Sequence, residues 1–307
     1  MSTSESTPST TGLMRYFKPP LIGLIALVLT LVGNPIMHAC VVATKKLFGP
    51  GQEFLFYQTM GAIMVVLLIW GIRRNKEVSG TLVGWVAGLL LWSCYASYAF
   101  KFNPISFDMP RYPISTDGEL TRASHLLFIQ GSIGICVLTL LFFVLNKDTK
   151  CDAFRWIQRV LRLNLGRPDS GQSRNVCRIT FIETVYVIWF CYAVTLFLGD
   201  ERFLGYHHPF TYFVFVGSAV WGLYLTWKLL RFTRLMAAIR WAIPTKAILW
   251  LAVGELAVKY GFYEEFWLHP LDYPIHMLVL VLVLLALLGL AAIAPQRRQT
   301  TEQEKQS

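Results

Sequence analysis

Apolar residues in this chain gather in long unbroken runs, not in the alternating or 3.6-residue stripes of a soluble fold. Eight such runs fall at about 20–43, 55–72, 82–100, 125–146, 180–198, 210–230, 245–263 and 275–294. Each is near the roughly 20 residues that a helix needs to cross about 30 Å of hydrocarbon. Lipid offers an open backbone no hydrogen bonds, so every run predicts a helix that satisfies its own amides and carbonyls. The expected fold is all-α: a polytopic membrane bundle of about eight transmembrane helices over residues 15–295, between a disordered tail at 1–14 and a second tail at 296–307.

Composition and charge add an orientation. With 55% apolar and 15% charged residues, the 307-residue chain carries more apolar sequence than one soluble core can hide. Run 1 is too long for a signal-peptide core and shows no clear cleavage site, so it reads as an uncleaved anchor. The two tails and the gaps after runs 2, 4 and 6 hold twenty Lys and Arg, whereas the other gaps hold six: Lys45, Lys46, Lys101, Arg111, Arg122 and Arg202. By the positive-inside rule this bias predicts a multi-pass protein of the cell's inner membrane with both termini in the cytoplasm. Topology and attraction to anionic lipid account for the net charge of +10. Membrane lipids are therefore expected partners, and nucleic acid is not.

The cytoplasmic gap 147–179 interleaves Phe154, Trp156, Ile157, Val160 and Leu161 with Arg155, Arg159 and Arg162. This spells a basic amphipathic helix, either a lipid-docking element or a solvated linker. Arg167 to Gly171 reads as a loop. The six cysteines have no paired spacing, which argues against a disulfide or zinc framework. Trp92-x-Cys94-Tyr95-Ala96 with Phe100 recurs as Trp189-x-Cys191-Tyr192-Ala193 with Phe197 at an offset of 97 residues. Such a match suits either chance among apolar residues or the internal duplication on which some transporters are built.

All six histidines fall in the gaps opposite the basic ones, or at run ends beside them, together with nine acidic residues. Imidazole with carboxylate suits copper or another transition metal. The densest stretch contains Glu264, Glu265, His269, Asp272 and His276. Glu265 to His269 and Asp272 to His276 are each four apart, a spacing that pairs ligands on a helix face. Pro270 and Pro274 forbid one continuous helix through both, so two short turns would have to meet at a bend to bring four ligands onto one ion. Without that bend they are interfacial anchors beside Trp267 and Tyr273. His207 is a long-range fifth ligand, although His207-His208-Pro209 reads as extended, with the two imidazoles pointing apart. His125 reads as a helix-start residue, and His38, after a kink expected at Asn34-Pro35, as lining a cavity.

Within run 7, Glu255 has Lys259 four residues on, which makes either an ion pair or the start of a proton relay toward Glu264 and Glu265. Glu183 is expected to help start the fifth helix near its positive end.

The stretch Glu255-x8-Glu264-Glu265-x4-Pro270-Leu271-x-Tyr273, followed by an apolar helix, resembles the last two helices of the third subunit of the copper-containing membrane monooxygenases, the methane and ammonia oxidisers. Phe48-Gly-Pro50 with Glu53-Phe54, and Trp70-Gly71 before a basic turn, are similar to the early part of that same component. The family's Asp-x3-His-x12-His motif differs here. Asp272 to His276 lies in the last helix, and Gly289 stands where the second histidine belongs. The resemblance implies a multi-subunit oxidase acting on small hydrophobic molecules and transfers no ligand.

Three functions stay open. The first is a membrane enzyme or enzyme subunit, converting or oxidising a hydrophobic substrate with a metal on His269, His276, Glu265 and Asp272, joined by His207, while Glu255 and Glu264 move protons. The second is a transporter or channel using Glu255 and Lys259. The third is a non-catalytic scaffold packed against partner membrane subunits. Nucleophile elbows, phosphate loops and dinucleotide fingerprints are absent, which removes the common soluble chemistries.

Overall fold

The structure, a computed structural model, describes residues 17–74, 76–109, 112–113, 121–122, 124–147, 149, 152–164, 175–254, 261 and 264–294. Apart from a two-residue antiparallel ladder, Tyr112–Pro113 with Thr121–Arg122, these residues form helices and their connections. Among the described residues, eight helices are long and apolar enough to cross a membrane. In chain order the elements are α1 (Leu21–Leu47), α2 (Pro50–Arg74) and α3 (Glu77–Leu91), which runs through a π-helical turn at Trp92–Ser97 into α4 (Tyr98–Ser106). Then come α5 (Ser124–Gly131) and α6 (Ile133–Val144), which share the fourth span, and the short α7 (Asp152–Val160). The last four are α8 (Val176–Leu198), α9 (Pro209–Leu229), α10 (Leu235–Leu249), prolonged by a π-helical turn at Trp250–Gly254, and α11 (Pro274–Ile293). The two tails and the loop at 165–174 lie outside the described residues.

One difference from the apolar pattern matters for function. The seventh span begins at Leu235, ten residues before the apolar run at 245. Its first turns carry Arg234 and Arg240, which suppress the hydropathy signal but are consumed by a partner. Glu77 at the start of α3 accepts bonds from Arg234 at 2.6 and 2.7 Å and from Arg240 at 3.3 Å, and Arg240 also donates to Thr81 at 2.8 Å. With its charges paired, the segment enters the bundle as helix. The fifth span likewise begins at Val176, where Asn175 caps it by accepting from the Arg178 amide at 3.0 Å and donating to the Ile72 carbonyl at 2.7 Å. Glu183 therefore lies two turns inside and does not start that helix.

The core forms around α10. Its Ala238, Ile239, Ala242 and Ile243 are buried against Ile22, Ala26 and Leu29 of α1, Trp85 and Leu89 of α3, and Ala291 of α11. The opposite extreme is α11, which fully buries Ala291 alone; Leu284, Leu287 and Leu288 pack partly against the core, and most of its other apolar side chains are exposed, as on a lipid-facing helix. Against α8, α3 packs through Gly80, Gly84 and Gly88, one residue per turn. A Cβ at Gly84 would stand 2.6 Å from the Cys177 carbonyl oxygen, and one at Gly88 2.7 Å from Thr184. This small-residue seam lets two backbones approach where apolar burial gives no drive between helices already in lipid. The amphipathic α7 docks through Phe154, which is buried with Val144 and Ile179 and stacks on Phe143, while Trp156 and Val160 stay exposed.

Candidate functional site

Moving the start of the seventh span places Lys246 eleven residues into α10, about 16 Å along the helix. That is near the middle of a roughly 30 Å hydrocarbon layer. Lys246 is 2% exposed, one of the largest fully buried side chains in the molecule. Its ammonium donates to the side-chain oxygen of Asn34, itself thirteen residues into α1. Among the described residues no carboxylate pairs with Lys246. A buried ammonium held by a neutral amide is the expensive arrangement that membrane helices keep only where it is used.

The surroundings of Lys246 are polar on one side. One turn beyond Asn34, His38 feels the charges of Lys246 and Lys101, and Cys191 of α8 lies within electrostatic reach of Lys246. His38 is exposed. Lys101 in turn interacts with Lys45 and Glu53, near where α1 and α2 meet. The groups form a chain from the histidine-bearing end of the bundle to its middle, and it is mostly cationic.

Local backbone breaks frame this chain. Pro35, inside α1, leaves the Leu31 carbonyl without its helical donor, and Pro244 in α10 does the same for Arg240. The π-helical turns at Trp92–Ser97 and Trp250–Gly254 each start fifteen residues after their helix begins, about 22 Å along. Such turns in helices recur at functional sites. The two tryptophans of the repeated motif meet here: Trp92, opening the first π-turn, lies 5.9 Å from Trp189 of α8, whose indole donates to Ser132 at 2.7 Å.

The residues expected to hold a metal are placed less favourably. Glu265 precedes a single 3-10 turn, Phe266–Leu268, and His269 ends it with a backbone that is not helical. Asp272 and Tyr273 precede Pro274, where α11 begins. Neither four-residue pair is therefore spanned by a helix. Of the four, His269 and Asp272 come together, with 3.6 Å between Nδ1 and Oδ2, and each side chain is 64% exposed. The His276 ring packs at a tilt against Phe266 and edge-on to Tyr273. Glu265 is half-buried; burial pushes its carboxyl upward while a hydrogen bond with Trp267 pulls the other way. Glu264 is exposed, and so is His207. His208 instead caps α9, its Nδ1 accepting from the Phe210 amide at 3.2 Å, with Pro209 in the first turn. Among the described residues no three His, Cys, Asp or Glu side chains converge. These donors thus do not fit the transition-metal centre that the spacing suggests, because prolines break the helix that would align them. Glu255 and Lys259 lie outside the described residues.

One loop carboxylate at the same end of the bundle has a structural task instead. Asp200 is fully buried and accepts from Gln130 at 3.0 Å, from the Arg202 amide at 3.0 Å and from the Arg202 guanidinium at 3.0 and 2.6 Å. Burial alone would raise its pKa, but these bonds hold the carboxyl at about 2. The Thr211 hydroxyl, bonding Gly205 at 2.7 Å, closes the same loop onto α9.

Comparison with protein-family models, with curated proteins and with solved structures found no match.

Proposed function

We propose that the chain is a multi-pass transporter of the cell membrane, both termini cytoplasmic, which binds a small anion at Lys246 halfway across the bilayer. The observation that carries this reading is the fully buried ammonium whose partner is the uncharged Asn34 side chain. Its charge calls for an anion that the bundle's described residues do not supply. Lys45 and Lys101 set a positive potential along the approach, which raises the local concentration of anions. Pro35, Pro244 and the two π-turns interrupt helices beside the site, the places where transporter helices expose backbone groups to a substrate. The twenty-to-six distribution of Lys and Arg supports the orientation. It makes the histidine-bearing end the external one.

The test is uptake into proteoliposomes. Purified chain is reconstituted and offered a panel of labelled anions, carboxylates, phosphate and sulfate among them, beside neutral and cationic solutes. Uptake of at least one anion, lost in Lys246→Gln, supports the reading. Uptake confined to neutral or cationic solutes, or unchanged anion uptake in Lys246→Gln, contradicts it.

A further inference from the structure

Along α9, from one turn after Pro209 toward its basic end, the exposed side chains are ordered in a way that a lipid-facing surface does not require. Phe213, Val216, Gly217, Val220, Trp221 and Tyr224 line a shallow groove of about 470 Å³ along one face of the helix. Gly217 supplies its floor: nothing lies within 4 Å of where a Cβ would be, so the hollow exists because the side chain is missing. From Phe213 to Tyr224 the groove is about 16 Å long, half of a roughly 30 Å hydrocarbon layer. It therefore has the length of a single leaflet's acyl chain.

The same face continues into charge. Lys228 lies over the Tyr224 ring at 4.6 Å, and Arg231 over the Trp227 ring at 3.5 Å. Both cations are exposed, and neither pairs with a carboxylate among the described residues. Stacking on an aromatic face fixes a guanidinium while leaving its N–H edges free, the geometry that suits a phosphate. The neighbouring Arg234 is already bound to Glu77, so the free positive charge at this corner resides on Lys228 and Arg231.

We infer that this face holds one anionic phospholipid, with its phosphate between Lys228 and Arg231 and an acyl chain lying in the groove over Gly217. Charge complementarity commits the occupant: two unpaired cations at headgroup depth beside an apolar trough match a lipid that is negative at one end and apolar along its length. This lipid site is independent of Lys246, and it needs the orientation proposed above only to name the leaflet as the inner one.

Native mass spectrometry tests it. Full-length chain is released from micelles that contain equal phosphatidylglycerol and phosphatidylcholine, and the retained lipid is counted. Retention of one phosphatidylglycerol, enriched on the order of tenfold over phosphatidylcholine, is expected from two cations near the headgroup layer. The double variant Lys228→Gln, Arg231→Gln should lose the preference, Lys228→Arg with Arg231→Lys should keep it, and Gly217→Leu should lower retention by filling the groove. Equal retention of the two lipids by the unmodified chain would overturn the inference, as would an undiminished preference in the double glutamine variant. Displacement by excess glycerol phosphate would show that charge alone binds there, and would overturn it too. Anion uptake through Lys246 is a separate readout, so failure of one proposal is distinguishable from failure of the other.

Discussion

A lysine ammonium removed from water is stabilised only by what surrounds it, and among the described residues the Lys246 ammonium bonds one amide oxygen, that of Asn34. Replacing a buried ion pair by apolar side chains of similar volume is commonly neutral or stabilising by about 1–4 kcal/mol, and the same desolvation cost weighs on a lone buried ammonium. Lys246→Met is therefore expected to unfold at the same or a higher temperature than the parent while losing anion uptake, a pattern that scanning fluorimetry beside the flux assay reads directly. A marked loss of stability would mean that the ammonium serves the fold. Asp200 illustrates the opposite case, a buried charge fully satisfied. Its carboxyl lies below its ordinary value of 3.8, at about 2, so the unfolded chain binds its proton first as pH falls. The stabilisation is complete above about pH 4 and is lost as pH drops toward 2, amounting to about 2 kcal/mol. Unfolding measured across that range should show an acid-side decline that Asp200→Asn, already weakened at neutral pH, lacks. These two residues also mark the limit of what single positions reveal. Lys246 and Asp200 look in the sequence like an edge residue and one acid among nine. Only the bundle shows which is buried and with what.

At the scale of elements, the seam between α3 and α8 is the contact most sensitive to added volume. A side chain at Gly84 would press on the backbone carbonyl of Cys177, which cannot rotate away. Gly84→Leu should cost about 1–3 kcal/mol or more, since overpacking forces the helices apart. Thermal unfolding in detergent measures this, and a neutral outcome would mean that the two helices pack less tightly than described. The glycine spacing at 80, 84 and 88 is a sequence signal for that seam. Residue runs alone locate seven of the eight spans to within a few residues and misplace the start of the seventh, because Arg234 and Arg240 read as loop until Glu77 is seen to neutralise them. The carboxylate and histidine spacing after residue 264 misleads for a related reason. Four-residue periodicity implies convergence only on a helix, and Pro270 and Pro274 leave a 3-10 turn and a bend there.

At the scale of the whole molecule, the eight helices of membrane-spanning length among the described residues include an α10 that is buried along its first two-thirds and polar at its centre. The proposed transporter follows from that polar centre joined to one end of the bundle by Lys101 and His38. The measurement that tests this most directly is thiol accessibility at His38. In a chain with its six cysteines replaced, His38→Cys is exposed to a membrane-impermeant maleimide from either side of sealed vesicles. Labelling is expected from the external side, slowed by the transported anion. Absence of labelling from both sides, or labelling from the cytoplasmic side alone, would contradict a path from that end of the bundle to Lys246.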